Sequence, residues 1–156
     1  MIDPVYLNIL RQIHARLANT DVNWVITGSF GFALQGVPVQ PNDIDIQTDR
    51  AGAYAIESLF SDVVVRKVKF SATERIKSHF GALRIDGLEV EIMGDIQKRG
   101  ADGVWEEIVD LPRYKQMVEI AGLLVPVLSL EYECQAYIKF GRVEQAKMLR
   151  RWLDSG

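Results

Sequence analysis

Residues 22–29 read VNWVITGS and residues 43–47 read DIDIQ, and these two stretches decide how the first half of the chain folds. The first is a β-rich run that stops at a glycine and a serine, which permit a tight turn and can cap a helix. Residues 30–34 suit a short helix, so the order strand, loop, helix is predicted. The second stretch alternates polar and apolar side chains, which predicts a half-buried strand with Asp43 and Asp45 on one face.

Helices and strands alternate around these stretches. Asp3 and Pro4 suit a helix start, and apolar side chains then recur at helical spacing as far as Leu17. Asp49 can cap a helix that continues through Phe60, and a valine-rich strand is predicted directly afterwards. The first half of the chain therefore mixes both types of element.

The second half contains a hairpin, an irregular segment and a helical tail. Asp86-Gly87 joins two β-rich runs, a pair of residues typical of a tight hairpin turn. Residues 104–128 suggest extended segments separated by turns. Ser129 suits the start of a helix and Gly141 suits its end, and a second helix is predicted over residues 143–153.

Together these elements predict an α+β fold, in which a mixed β-sheet is flanked by helices and followed by a C-terminal helical tail. Residues 1–156 are expected to form one domain, with a core at about 22–94 and C-terminal helices at about 129–153. The chain is 48% apolar, which suffices for a buried core.

Composition excludes several classes of protein. No apolar stretch is long enough to span a membrane and no signal peptide is visible, so a cytoplasmic protein is expected. The net charge of −3, with interspersed acidic and basic residues, disfavours a long nucleic-acid partner. Cys134 is the only cysteine, so no internal disulfide can form, and its apolar helical context predicts a buried filler residue.

The paired carboxylates indicate a cation site. Two carboxylates on one strand face, about 6.6 Å apart, repel each other and suit neither a dry core nor an ordinary cross-strand pair. Asp43 and Asp45 are therefore candidate ligands for Mg²⁺, and Glu91 on a neighbouring strand can complete the site. Solvated strand charges are the alternative interpretation.

The glycine and serine that precede the carboxylates suit a phosphate group. Gly28 would let the backbone approach a triphosphate, and the helix start behind Ser29 offers free amides. A simple turn is the alternative interpretation of this pair. Combined with the acidic strand, however, the loop fits phosphoryl-type transfer, in which a protein mainly positions a triphosphate and neutralises charge.

These two stretches, with residues 30–42 as the spacer between them, resemble the signature of the nucleotidyltransferase (DNA polymerase β-like) superfamily. The sequence is most similar to its minimal, stand-alone bacterial and archaeal members, including lincosamide- and aminoglycoside-type enzymes and the AbiEii-like group. The resemblance covers residues 22–94 well and the tail loosely. It implies that Asp43 and Asp45 bind metal, that Gly28 and Ser29 bind phosphate, and that Glu91 binds metal and acts as base.

The resemblance also implies roles for two cations in the tail. Residues 136–142 resemble a helix of AbiEii-like proteins in which a lysine and an arginine lie near the nucleotide, and Lys139 and Arg142 occupy those places. Those proteins often continue with Lys-Asp, whereas this chain has Glu144-Gln145. The alternative is that both cations are surface residues at a helix end.

The expected function is Mg²⁺- or Mn²⁺-dependent transfer of a nucleoside monophosphate from an NTP, with ATP as the first choice, to a hydroxyl of a small molecule or a protein. The alternative is a catalytically silent or regulatory nucleotide-binding domain, which could be one half of a toxin–antitoxin pair. The presence of all three carboxylates favours the enzyme. Because the chain is short, a homodimer or a partner protein could complete the acceptor side.

Overall fold

The computed structural model describes residues 2–155. A seven-stranded mixed sheet forms its centre. In chain order the elements are α1 (Pro4–Leu17), β1 (Trp24–Thr27), α2 (Gly28–Leu34), β2 (Ile44–Thr48), α3 (Arg50–Leu59), β3 (Val64–Ala72), β4 (Ile76–Ile85), β5 (Leu88–Lys98), α4 (Leu111–Tyr114), β6 (Lys115–Ile120), β7 (Leu123–Leu128), α5 (Leu130–Phe140) and α6 (Val143–Ser155). The predicted α+β fold with a helical C-terminal tail is confirmed.

The strands lie in the order β3-β4-β5-β2-β1-β7-β6. β2 pairs with β5 in parallel and β1 pairs with β7 in parallel, while the other neighbours are antiparallel. The two short strands β1 and β2, which carry the sequence motifs, are therefore enclosed near the middle of the sheet. Enclosure on both sides fixes their register, since a shift by one residue would turn every side chain to the opposite face.

Two helices cover one face of the sheet. The Asp3 carboxylate accepts a hydrogen bond from the Val5 N–H at 3.0 Å and begins α1, and the Asp49 carboxylate accepts one from the Gly52 N–H at 2.7 Å and begins α3. The apolar stripes of both helices pack on the buried side chains of β2 and β5 in the main core. As predicted, α1 ends at Leu17.

The helical tail packs against α2 rather than against the main core. Ser129 and Gly141 delimit α5 as predicted: the Ser129 hydroxyl accepts a hydrogen bond from the Tyr132 N–H, and Gly141 has a φ of 89°. Cys134 is buried in a second core cluster between α2, α5 and α6, as its apolar context predicted. This cluster holds the tail over the face of the sheet that α1 and α3 do not cover.

Several strand boundaries differ from the sequence expectations. β1 begins at Trp24 rather than at residue 22, and β2 begins at Ile44, so that Asp43 directly precedes the strand. Both hairpin strands are longer than predicted, at 10 and 11 residues, because they also pair beyond the apolar runs. Asp86 and Gly87 have φ angles of 50° and 80°, as the predicted tight turn requires.

Residues 104–128, predicted to be extended with turns, contain one short helix and a second hairpin. Its turn lies at Ala121 and Gly122, which both have positive φ angles. Among residues 2–155, no helix is both long and apolar enough to cross a membrane.

Candidate active site

Three polar side chains form a row across the middle of the sheet. Asp45 on β2 is level with Thr27 on β1 and with Glu91 on β5. Neighbouring strands are about 4.8 Å apart and aligned residues point to the same face, so these side chains share one surface. The register thus brings together two carboxylates that lie 46 positions apart in the sequence.

Asp43 lies at the edge of this row. It is exposed and directly precedes β2, where it has the same parity as Asp45. Glu89, the other acidic residue of the predicted hairpin strand, is opposite Arg84 near the turn and is exposed. The structure therefore brings Glu91, rather than Glu89, level with Asp45.

The carboxylates of the row oppose each other's ionisation. Burial, together with the charges of Glu91 and Asp43, raises the pKa of Asp45 to about 7. Burial and the charges of Asp43 and Glu89 also raise the pKa of Glu91. A cation placed among these partly buried carboxylates would stabilise their ionised forms.

The donor set fits a hard cation only when other ligands take part. Within the described chain, no three His, Cys, Asp or Glu side chains converge closely enough to hold an ion by themselves. Mg²⁺ is commonly bound by one or two carboxylates together with phosphate oxygens and water. Asp43, Asp45 and Glu91 match that pattern, because they supply only oxygen donors, and Asp43 and Asp45 share a parity along the strand that pairs with Glu91.

Gly28 and Ser29 begin α2 directly after β1, without the predicted intervening loop, and this change from strand to helix, the Gly28-Ser29 turn, lies beside the acidic row. Gly28 has a φ of 71°, and a Cβ atom there would lie 2.8 Å from Asp45 Oδ2, so a side chain would collide with the carboxylate. The Ser29 hydroxyl accepts a hydrogen bond from the Asn42 N–H at 2.9 Å. This bond ties the turn to the segment that leads into Asp43.

An inner cavity of about 280 Å³ opens over the row. Its lining includes Thr27, Gly28, Asp45, Gln47, Glu91, Lys98, Glu133, Tyr137 and Arg142. Arg142 follows the end of α5 and contacts the rings of Tyr137 and Phe140. Asp43 and Ser29 do not line this cavity.

A larger outer cavity of about 860 Å³ adjoins the inner one. The two cavities share Lys98, Glu106, Tyr132 and Ala136. Lys139 lines the outer cavity and not the inner one, so the two tail cations predicted to contact nucleotide lie in different compartments.

Glu133 and Lys98 were not identified from the sequence, although both line the inner cavity. Glu133 is only 6% exposed, and burial raises its pKa to about 8. Glu133 is three residues after Leu130 and four before Tyr137, so helical spacing already indicated that its carboxyl lies on the inward face of α5. Lys98 lies at the end of β5, and burial lowers its pKa. It was missed because the strand predicted from the sequence ended at residue 93.

Comparison with known proteins agrees with this architecture. The family model for aminoglycoside-2''-adenylyltransferase matches residues 9–149. The crystal structure of a candidate nucleotidyltransferase from Thermotoga maritima is 63% identical in sequence, covers 100% of this chain and 97% of its own, and has a TM-score of 0.86. No curated protein sequence matches the chain.

Two more distant structures share the fold. The lincosamide antibiotic adenylyltransferase LnuA, in its lincomycin-bound form, is 14% identical, with 86% of this chain and 85% of its own covered and a TM-score of 0.52. ANT(2'')-Ia in complex with adenylyl-2''-tobramycin is 15% identical, with 96% and 90% covered and a TM-score of 0.60. The match of the family model over most of the chain, together with the close Thermotoga relative, shows that the chain belongs to the aminoglycoside-2''-adenylyltransferase family and is a nucleotidyltransferase.

Proposed function

We propose that this chain transfers a nucleoside monophosphate from a Mg²⁺-bound nucleoside triphosphate to a hydroxyl group of a small molecule. The observation that carries the proposal is the alignment of Asp45 with Glu91 beside Gly28, on the floor of the inner cavity. ATP is the first candidate for the donor, because the family model and the two distant structures are adenylyltransferases.

The triphosphate is proposed to lie between the Gly28-Ser29 turn and the carboxylates. Asp43, Asp45 and Glu91 would hold Mg²⁺, or Mn²⁺ in its place, which neutralises phosphate charge and polarises the phosphoryl group. Lacking a side chain, Gly28 leaves room for the phosphates beside Asp45. Arg142 faces the same cavity and supplies positive charge.

Glu91 is the proposed general base. Its raised pKa brings it closer to neutral pH, where a carboxylate can accept a proton efficiently. The acceptor hydroxyl would attack the α-phosphorus, transfer its proton to Glu91 and form a phosphodiester. The bond to the β-phosphate breaks, and pyrophosphate leaves with the electron pair.

The outer cavity is the proposed acceptor site, because it adjoins the inner cavity and is large enough for a drug-sized molecule. Among its lining side chains, five are acidic and three are basic: Asp102, Glu106, Glu107, Asp110 and Glu131 against Lys98, Arg113 and Lys139. The acidic excess favours an acceptor that carries amino groups as well as hydroxyls. The family's name and the adenylyl-tobramycin complex of ANT(2'')-Ia make aminoglycosides the first acceptors to test.

Labelled ATP, GTP, CTP and UTP should be incubated with the protein, Mg²⁺ or Mn²⁺ and a panel of aminoglycosides and lincosamides, followed by mass analysis of the small molecules and of the protein. A gain of one nucleoside monophosphate on an acceptor, absent with Asp45→Asn, supports the proposal. A mass gain on the protein alone would identify a protein acceptor instead.

No mass gain on any acceptor, combined with nucleotide binding, would favour a regulatory or silent domain, including one half of a toxin–antitoxin pair. A cytoplasmic location, where nucleoside triphosphates and Mg²⁺ are supplied, is part of the proposal. Completion of the outer cavity by a second copy or a partner also remains a prediction, which the mass of the particle in solution tests.

A further inference from the structure

Glu133 connects the helical tail to the Gly28-Ser29 turn. One of its carboxyl oxygens, Oε1, accepts hydrogen bonds from the Thr27 hydroxyl and from the Gly28 N–H, the latter at 3.3 Å. Both donors use the same oxygen. A side chain from α5 therefore holds the residue that borders Asp45, across 105 positions of sequence.

The second carboxyl oxygen of Glu133 has no partner. Oε2 is buried and forms no hydrogen bond with any residue in the described chain. Glu133 forms no ion pair there either. A buried anionic oxygen without a donor is costly, whereas a protonated one is an O–H group that can serve an incoming acceptor.

The hydrogen bonds to Glu133 therefore indicate which of its two carboxyl oxygens carries the proton. With two donors on Oε1 and none on Oε2, the neutral acid with its hydrogen on Oε2 satisfies the observed bonds. Burial acts in the same direction by raising the pKa of Glu133 to about 8. The hydroxyl belongs to a side chain that lines the inner cavity, together with Lys98 and Arg142.

We propose that Glu133 is a neutral positioning and ligand-contacting residue, whose Oε1 fixes Thr27 and Gly28 and whose Oε2 hydroxyl donates a hydrogen bond to an anionic phosphate oxygen of the nucleotide. The inference rests on the proposed function, because it takes the ligand of the inner cavity to be a triphosphate. Because the Gly28 N–H donates to Glu133, it is not available to a phosphate. The Oε2 hydroxyl of Glu133 would provide a hydrogen-bond donor to the phosphate in its place.

Ionisation of Glu133 would reverse this role, because a carboxylate facing the phosphates repels them. The charged and titratable groups that line the inner cavity with Glu133 come from several elements: Asp45 on β2, Glu91 and Lys98 on β5, Glu106 in the loop after β5, Tyr132 and Tyr137 on α5, and Arg142 beyond it. Asp45 raises and Lys98 lowers the pKa of Glu133. Burial raises the pKa of both tyrosines to about 12, which leaves them neutral over the range of interest.

The decisive variant is Glu133→Gln. Its amide oxygen can accept the bonds from Thr27 and Gly28, and its NH₂ group donates where the protonated Oε2 would, at every pH. Calorimetric titration of Mg²⁺-ATP at about pH 6.5 should give an affinity within about threefold of the unsubstituted protein. Above about pH 8 the affinity of the unsubstituted protein should fall, approaching tenfold per pH unit, relative to Glu133→Gln.

The comparison between these two proteins removes contributions from Asp45 and Lys98, which titrate in both. Glu144→Gln on the exposed surface of α6 is the matched control, and it should follow the unsubstituted protein. Identical pH profiles for Glu133→Gln and the unsubstituted protein would overturn the inference.

A second readout needs neither nucleotide nor metal. In ¹⁵N-labelled protein, the amide resonance of Gly28 should show a step with a midpoint near the pKa of about 8, because its acceptor gains charge there. In Glu133→Gln this step should be absent, and only the step caused by neighbouring Asp45, whose pKa is about 7, should stay. A Gly28 resonance without a step near pH 8 would overturn the inference even if the variant failed to fold. If this step is present but no nucleotide binds at any pH, the proposed function fails, and with it the ligand contact of Glu133, while the position of the proton stands.

Discussion

At the scale of single residues, Asp45 lies between two other acidic side chains, and its ionisation costs free energy in the folded protein. Its pKa of about 7 is above the usual value of about 3.9, so the folded state holds the proton more tightly than the unfolded state. The free energy of unfolding of the metal-free protein should therefore decrease as the pH rises from about 4 to about 7.

Replacement of this carboxylate tests that prediction. Asp45→Asn should abolish transfer and raise the melting temperature of the metal-free protein by about 2–4 °C at pH 8.5, with a smaller effect at pH 5. Asp43→Asn should also abolish transfer, and its fold should stay intact or become slightly more stable. Asp21→Asn, in an exposed loop, is the control. A large loss of stability in either variant would mean that the pair is structural.

The hairpin offers a matched pair of glutamates. Glu91→Gln should remove activity and weaken Mg²⁺-dependent nucleotide binding, because Glu91 is level with Asp45 and lines the inner cavity. Glu89→Gln should change either quantity by no more than about threefold, since Glu89 is exposed near the turn. Steady-state kinetics and calorimetry on both variants decide between them, and the reverse order of effects would contradict the assignment.

At the scale of elements, the end of α5 separates the two cations that the sequence grouped together. Gly141 ends the helix with a left-handed backbone, after which Arg142 lines the inner cavity, whereas Lys139, one turn earlier, lines the outer cavity. The helix end thus assigns one cation to each cavity.

Arg142→Gln should weaken Mg²⁺-ATP binding by about tenfold or more, as expected for the loss of one charged hydrogen bond to phosphate. Lys139→Gln should leave that affinity within about threefold and instead change the KM for the acceptor. Calorimetry with nucleotide and kinetics with varied acceptor separate the two effects. Equal losses of nucleotide affinity would show that both cations serve the triphosphate.

At the scale of the whole molecule, nucleotide binding must overcome the repulsion between a polyanion and an acidic surface. The chain has a net charge of −3, and the acidic row forms part of the floor of the inner cavity. A divalent cation offsets both sets of charge.

Calorimetric titration of ATP, GTP, CTP and UTP should therefore show binding with Mg²⁺ and a loss of at least about tenfold in affinity in excess EDTA. The Asp43→Asn and Asp45→Asn variants should lose most of this metal dependence. Equal affinity with and without the metal would contradict the prediction.

The sequence by itself determined the elements and the family resemblance, because both depend on local patterns. The caps at Asp3, Asp49 and Ser129 and the turn at Asp86-Gly87 follow from spacing and backbone preference, and the structure confirms them. The alternation in residues 43–47 correctly predicted a strand, but that strand begins at Ile44 and is not half-buried, because sheet neighbours and covering helices also bury polar positions such as Gln47, which is 7% exposed. The strand-turn-helix and acidic-strand motifs were enough to predict the nucleotidyltransferase fold.

Only the tertiary structure decided which residues meet. Asp45 lies level with Glu91 because of the parallel register of β2 and β5. Side-chain parity could not distinguish Glu91 from Glu89, because both point to the same face of the strand. The contact of Glu133 with Gly28, and the division of Lys139 and Arg142 between two cavities, depend on how α5 packs over the sheet. These contacts join positions far apart in the chain, and local preference carries no information about them, since packing and register are settled by burial of the whole core.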